Sequence, residues 1–570
     1  MSEMKPFYME DGSVVVNLSV AVCKTNIDVL ESDGFRIVVD RFMKSITSSS
    51  DRALYKLVSK VESTDEMISI YKKLLVFSFD ELLENEKGFD QYKEYRTEFI
   101  TFTEALYDYW RNFERYGILK RHVLSDSLDN SALIDTTTHF WKNVLWLYRN
   151  ILNNLRIKPL SIYRQTPGGF NAGFIVSPSS NSLPSIYQNL YDIDVINAVV
   201  IRTPFIGHSF SNTRKGLFEE VKHNQIKDLD LYKSHWLCFP IMVGDLYAHV
   251  YFHRSFMHHG VSLSNLFEPA FKKYQDSEKP DMIYVYGDKE TKDDKTVYID
   301  EENDIYIGYV SRKKEHDYFG YMKKMLLTLH NFYKIKHGEL PIHGAMINVI
   351  LEDDKERNIV IIGDSGAGKS ETIEALRFIA DDLIKEINIV FDDMGVFFMR
   401  DNKVYAKGTE IGSFIRLDDL ETGYAYKELD RAIFLNPERN NARVILPNAT
   451  YEFISRAHEI DYVFYANNYV DSDVSFKKFK DVDDAVMVFK EGKRKAKGTT
   501  SEKGIVTSYF ANPFGPVQLK SKVDPLLEDM FGLLFTHDVF VGELYTKLAV
   551  DGQEVEGIKD AARGLMKLIK

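Results

Sequence analysis

The apolar positions of the chain change period several times, and each change marks a segment. Across residues 51–155 they recur at helical spacing, most clearly at Phe99, Phe102, Leu106, Trp110 and Phe113, which predicts helices that bury an aromatic face. The pattern breaks across residues 156–195, where Pro159, Pro167-Gly168-Gly169 and the Ser/Pro-rich stretch 177–185 gather turn formers. After it, the short apolar runs Val195–Ile201, Trp236–Val243 and 247–252 predict buried strands, and a helix is predicted over 263–274. A polar run at 275–281 marks the next boundary. The expected organisation is therefore multidomain α/β: a mainly helical region at 1–158, a small α/β domain at 159–278 and one large catalytic domain at 279–570.

Composition narrows the function classes. The 570 residues carry 72 Lys+Arg against 85 Asp+Glu, a net charge of −13, which argues against a sequence-independent grip on nucleic acid. Hydrophobic residues make up 44% of the chain, enough to fill sizeable cores and to exclude disorder as its main state. Cys23 and Cys238 are far apart, so neither a disulfide framework nor a Cys-x-x-Cys zinc site can be built, and a reducing, cytoplasmic compartment is expected. No signal peptide is expected, because acidic residues interrupt the N-terminus, and no window approaches the ~20 apolar residues of a membrane span. His249, His253, His258 and His259 invite a metal reading, with His249 and His253 on one face of a strand. Surface histidines near a turn at Gly260 are the plainer reading, since no companion ligands are evident in the spacing.

The most specific signal lies further on. The apolar run Asn358-Ile359-Val360-Ile361-Ile362 leads into Gly363-Asp364-Ser365-Gly366-Ala367-Gly368-Lys369-Ser370, the pattern G-x-x-x-x-G-K-[ST], and a helix with Ile373, Leu376, Ile379 and Leu383 on one face is predicted after it. In that strand-loop-helix setting the glycines let backbone N–H groups turn around phosphate oxygens. Lys369 can reach the β- and γ-phosphates, and the Ser370 hydroxyl can hold Mg²⁺. A second strand is expected over 387–391 and to end at Asp392-Asp393, where a metal-binding acid belongs beside a phosphate loop.

These residues resemble the phosphoenolpyruvate carboxykinases and their relatives, the HPr kinases, over residues 304–514. The likeness rests on Tyr318-Phe319-Gly320-Tyr321-Met322-Lys323-Lys324, then Thr328, Asn331 and Leu340-Pro341-Ile342-His343, all before the loop. After it come Asn441-Ala442-Arg443-Val444 with Pro447, and Gly498-Thr499-Thr500-Ser501-Glu502-Lys503-Gly504 with Pro513-Phe514. The resemblance implies that Lys324, His343 and Asp393 ligate a transition metal, usually Mn²⁺. It implies that Ser370 takes the Mg²⁺ of a bound ATP or GTP, that Lys323 and Lys369 contact the transferring phosphoryl group, that Arg443 neutralises it, and that Tyr318 lies beside a carboxylate substrate. The nucleotide would lie on Gly363 to Glu371 (Gly363, Asp364, Ser365, Gly366, Ala367, Gly368, Lys369, Ser370, Glu371), with Lys503 on its adenine side where the family has arginine. A lysine can ligate a metal only as the neutral amine, and a dication beside it depresses its pKa enough for that.

The sequence departs from that family at the acceptor. The Gly-Arg-Ser-Pro-Lys segment that grips the dicarboxylate in carboxykinases is missing, and Arg202-Thr203-Pro204 is the nearest substitute. The loop GDSGAGKSE is closer to the HPr kinase version. Three functions are therefore carried forward: conversion of oxaloacetate to phosphoenolpyruvate, phosphorylation of a protein or small-molecule hydroxyl, and nucleotide sensing with weak turnover. Residues 235–270 resemble the closing hairpin and helix of a GAF domain. Residues up to about 275 match neither kinase family and are expected to bind a regulatory partner or to self-associate.

Overall fold

The computed structural model describes residues 5–10, 12–47, 52–120, 128–158, 165–179, 183–289, 294–379, 383–417, 430–496 and 504–570. The chain is mixed α/β and divides into two compact units. The first comprises residues 1–179, 192–205 and 233–237; the second comprises 180–191, 206–232 and 238–570. Residues 159–278, expected to form a domain of their own, are thus shared between the two units.

The first unit is helical with a sheet. Strands β1 (Phe7–Glu10) and β2 (Ser13–Asn17) pair antiparallel, and β2 continues in parallel to β3 (Glu114–Lys120). β3 pairs in parallel with β4 (Ala172–Ser177), which pairs antiparallel with β5 (Val195–Ile201). Phe99, Phe102, Leu106 and Trp110 lie on one face of the helix Arg96–Arg111 and are buried in a core with Val38, Phe42, Tyr71 and Ile151. Phe113, expected on the same face, falls beyond the helix end and is half-buried. β3 interrupts what reads as continuous helix, because a strand as short as Glu114–Lys120 carries too few residues to impose its own period on the sequence.

The second unit holds the expected site. One sheet runs β6 (Trp236–Val243), β7 (Leu246–His253), β8 (Met282–Asp288), β10 (Ile305–Ser311), β9 (Lys295–Asp300). The helix predicted over 263–274 is two helices, Met257–Leu266 and Phe271–Gln275, divided at Phe267, whose backbone is extended. Helix α1 (Phe319–Lys336) follows β10 and leads into a second sheet.

That second sheet is built on β11 (Leu340–Leu351) and β12 (Glu356–Ile362), which pair antiparallel. β12 is followed by helix α2 (Lys369–Ile379) and β13 (Ile384–Arg400), which returns antiparallel to the other edge of β11. β14 (Lys403–Gly408) extends the sheet beyond β13, while β15 (Tyr462–Asn467) and β16 (Phe540–Tyr545) run parallel beyond β12. Successive side chains of a strand face opposite sides of a sheet. Val360 and Ile362 accordingly enter a core with Phe489, Leu527 and Phe531, while Ile359 and Ile361 enter another with Ile373, Leu376, Ile558 and Leu565. Helices cover both faces, so β12 reads as an unbroken apolar run. Ile379, the last described residue of α2, and Leu383, both expected on its buried face, are instead substantially exposed.

An ion cluster ties the turn after β6 to α1 and β14. Asp245 lies 2.7 Å from Lys334 and 2.8 Å from Lys407, and Glu339 lies 3.1 Å from each lysine. Burial alone would raise the Asp245 carboxyl, but the two lysines outweigh it and hold the group well below the usual carboxylate range. A carboxyl depressed by folding stabilises the fold above its unfolded pKa, and that contribution fades as pH falls through the folded value. Asp245→Asn is therefore expected to lower the melting temperature by ~2–4 °C at pH 7, with the gap from wild type closing as the pH drops below about 4. Identical melting of the two proteins at pH 7 would contradict this.

Candidate active site

At the end of β12 the chain turns through Gly363–Gly368 into α2. Gly366 (φ +76°) and Gly368 (φ +91°) occupy conformations that L side chains rarely adopt, and a Cβ on Gly368 would stand 2.7 Å from that of Thr546. Asn468 Nδ2 donates to the Gly366 carbonyl at 2.9 Å and Thr546 Oγ1 to the Ala367 carbonyl at 2.8 Å. These bonds brace a loop whose N–H groups, at the start of a helix, suit a chain of phosphates. Ser365 N–H donates to Asp364 Oδ1 at 2.7 Å, and Arg494 Nε lies 3.0 Å from Asp364 Oδ2. Burial raises the Asp364 carboxyl, but His343 and Arg494 bring it below its ordinary value. Lys369 is buried, with Nζ 3.1 Å from the Asp364 carbonyl. Ser370 Oγ donates to Asp392 Oδ1 at 3.0 Å, and Glu371 lies in the first turn of α2.

Asp392 and Asp393 do not end a strand, as the sequence suggests. They sit within β13, opposite Ala345 and Gly344 of β11, because the apolar run resumes after them at Met394 and the strand continues to Arg400. Asp393 has φ +130°, a backbone conformation that costs on the order of 1–3 kcal/mol and persists where the surroundings over-determine it. The surroundings here are two lysines and a histidine. Lys324 Nζ lies 2.6 Å and Lys323 Nζ 2.7 Å from Asp393 Oδ2, and His343 Nε2 lies 3.1 Å from Oδ1.

The His343 ring is oriented from behind. Its Nδ1 donates to the Ala511 carbonyl at 2.6 Å, so the proton is assigned to Nδ1 and, in the neutral ring, Nε2 presents its lone pair toward Asp393. Ala511 itself has φ +48°.

Sequence reasoning missed Glu410, which lies 2.9 Å from Lys323 and is buried. No motif surrounds it, and only the pairing of β14 with β13 brings its segment to Asp393. Burial pushes the Glu410 carboxyl up to about 7. Burial also works against a charged Lys323, yet Asp393 and Glu410 together raise its pKa. Lys324 goes the other way: burial is the largest influence, Lys323 adds to it, and the amine comes down to about 8. Asp393, flanked by both lysines, is held well below the carboxylate range despite its burial, while burial raises Asp392. Lys323, expected to touch a transferring group, is wholly enclosed between two carboxylates, whereas Lys324 keeps a partly exposed side chain.

Two donor sets thus adjoin at consecutive residues. The Ser370 hydroxyl and the Asp392 carboxylate offer oxygens that suit Mg²⁺. Lys324, His343 and Asp393 offer two nitrogens and an oxygen, a set for a transition ion such as Mn²⁺. Such an ion requires the neutral Lys324 amine and a free lone pair on His343 Nε2, and burial brings the Lys324 amine down toward that state, to about 8.

Aromatic rings carry the remaining cations. The Phe414 ring lies beneath Lys323 at 5.4 Å and Arg443 at 5.3 Å, and Tyr318 packs 6.3 Å from it. The Phe514 ring lies beneath Lys324 at 4.4 Å and Arg214 at 5.1 Å. Arg214 was not singled out from the sequence. No carboxylate pairs with it or with Arg443 among the described residues, and burial, the largest influence, lowers the Arg214 pKa. Arg202, the expected substitute for the missing clamp, belongs to the first unit and lies over Trp141 at 4.5 Å. Lys503 and residues 498–502 fall outside the described residues.

The four histidines separate. His249 is hydrogen-bonded to the hydroxyls of Tyr247 and Tyr251, and burial brings it down to about 3, so it is a neutral core residue. His253 accepts from the N–H of Ser255 at the start of a short helix. His258 and His259 turn to Asp317. No helix among the described residues is long and apolar enough to cross a membrane. In comparisons with known proteins, the chain matches no family model and no curated protein.

Proposed function

We propose that the chain transfers the γ-phosphoryl group of ATP or GTP to an anionic acceptor, on a site of the kind found in phosphoenolpyruvate carboxykinases and HPr kinases. The observation that carries this reading is the meeting of the two donor sets at Asp392 and Asp393. A glycine-rich turn alone has no use for Lys369, Ser370 and an acid 3.0 Å from that hydroxyl, nor for a strained carboxylate gripped by Lys324 and His343.

In this reading the loop N–H groups and Lys369 hold the phosphate chain, and Ser370 with Asp392 holds its Mg²⁺. Lys324, His343 and Asp393 would hold Mn²⁺. Bound there, the two ions supply charge neutralisation at the transferring group and at the acceptor oxygen. Arg443 and Arg214, which pair with no carboxylate among the described residues, orient the acceptor and balance its charge, and Tyr318 flanks it. Lys323 acts through Asp393, keeping it ionised, and Glu410 acts through Lys323, favouring its charged form. The γ-phosphorus gains a bond to the acceptor oxygen and loses its bond to the β–γ bridging oxygen. Oxaloacetate, which would lose CO₂ to leave the enolate oxygen that takes the phosphoryl group, suits the charges of Arg443 and Arg214, and a protein or small-molecule hydroxyl remains the second reading because of the loop sequence GDSGAGKSE.

The test is ADP release with and without oxaloacetate, with phosphoenolpyruvate measured alongside and ³²P transfer onto a protein or alcohol as the other arm. No ADP release under any condition would refute the phosphotransferase. Within it, His343→Ala is expected to abolish stimulation by Mn²⁺ while nucleotide affinity stays within about threefold, since the nitrogen ligand serves the transition ion and not the loop. Superimposable Mn²⁺ titrations of variant and wild type would remove His343 from the metal site.

A further inference from the structure

We propose that His258, His259 and Asp317 form a second metal site, of the zinc class, which shares no residue with the Asp393 cluster. The two histidines are consecutive in the helix Met257–Leu266, with ring centroids 4.0 Å apart. Both aim Nε2 at a single oxygen, Oδ1 of Asp317, at 3.2 and 3.1 Å. Around an ion with bonds of ~2.0–2.1 Å, neighbouring ligand atoms of a tetrahedron stand about 3.3 Å apart, so these spacings need little adjustment. A fourth donor is at hand, for Ser209 Oγ lies 3.3 Å from His258 Nε2.

The surroundings orient these groups. The other Asp317 oxygen accepts the Phe210 N–H at 2.7 Å, which leaves Oδ1 to the histidines. Ser209 is held by Asn436, which accepts its N–H at 2.8 Å and donates to its carbonyl at 2.9 Å. His259 is wholly buried, against Phe256 at 5.8 Å, Tyr286 at 5.6 Å and Phe319 at 5.9 Å. Outer partners that fix the ligands, within an apolar wall that limits water, are what a metal centre needs. Two imidazole nitrogens and one carboxylate suit Zn²⁺ better than Mg²⁺ or Ca²⁺.

The ion would join three distant stretches of the second unit: the segment at Ser209 that leads to Arg214, the start of the helix Met257–Leu266, and the residue before Tyr318. Its role is to position. It holds the entry to α1, which carries Lys323 and Lys324, and the segment that brings Arg214 to Phe514.

The test reads metal directly and needs no nucleotide, so its failure is distinct from failure of the phosphotransferase reading. Full-length protein, wild type and His343→Ala, is stripped with chelator and titrated with Zn²⁺ and Co²⁺. One saturable equivalent of Zn²⁺, and a visible Co²⁺ absorption band of a four-coordinate site, are expected in His343→Ala, in which the Asp393 cluster has lost a nitrogen ligand, and the wild type is expected to bind one equivalent more. Asp317→Asn and His259→Gln, checked for folding by circular dichroism, should weaken Zn²⁺ binding by at least about 100-fold, the upper end of what loss of an outer partner alone costs. No saturable binding of either ion by His343→Ala, or binding in Asp317→Asn equal to wild type, would overturn the site. Should both variants fail to fold, the Co²⁺ spectrum of His343→Ala decides, and its absence overturns the proposal.

Discussion

Lys369→Ala is expected to reduce phosphoryl transfer about a thousandfold or more while leaving the melting temperature within a few degrees of wild type. In the proposed reaction its ammonium compensates charge that builds on the phosphate oxygens in the transition state, and loss of one preorganised donor of this kind costs orders of magnitude in rate. The fold asks little of it. Among the described residues its Nζ bonds only the Asp364 carbonyl, at 3.1 Å, and the packing of α2 rests on Ile373, Ala375 and Leu376. Turnover with saturating nucleotide, measured beside thermal unfolding, checks both halves. Turnover within about threefold of wild type would take Lys369 out of the phosphate site.

Asp393→Ala should differ from this in kind, because it damages both activity and fold. Two lysines and a histidine converge on this carboxylate. Its removal leaves Lys323, fully enclosed, with Glu410 alone. Stripping one partner from a buried ion cluster costs about 3–5 kcal/mol, although relief of the φ +130° backbone returns part of that only for a residue such as glycine. We expect activity below detection and a clearly lowered denaturation midpoint, with Lys324 and His343 no longer able to respond to Mn²⁺. Denaturant titration of Asp393→Ala against Lys369→Ala makes the contrast measurable. Equal stability of the two variants would mean that the Asp393 cluster bears no structural load.

The sequence alone determined those parts of the protein whose physics is local. Residues 356–379 announce a strand, a glycine turn and a helix, because each needs only its own residues: an apolar run, glycines at positive φ, and a lysine and hydroxyl at the helix start. The aromatic face of Arg96–Arg111 was legible for the same reason, since helical period survives in any window long enough to show it. The pairing of Lys324, His343 and Asp393 came into view only through a resemblance, as nothing in their spacing of 19 and 50 residues implies contact.

Tertiary structure decided the rest, by sheet register and burial. Antiparallel return of β13 along β11 sets Asp393 against His343 and its neighbours, in a strand that the sequence suggested had already ended. Pairing of β14 with β13 carries the chain toward Glu410 and Lys323, and no local signal marks Glu410 because its shift up to about 7 arises from burial that distant segments create. Two adjacent lysines read alike in the sequence, yet enclosure between two carboxylates raises one pKa while burial and its neighbour bring the other down to about 8. Arg202 was the arginine that the sequence offered for the acceptor, and Arg214 carried no signal there. Only the packing tells that one lies over Trp141 in the first unit and the other over Phe514 beside Lys324, because a charge takes its role from what surrounds it in space.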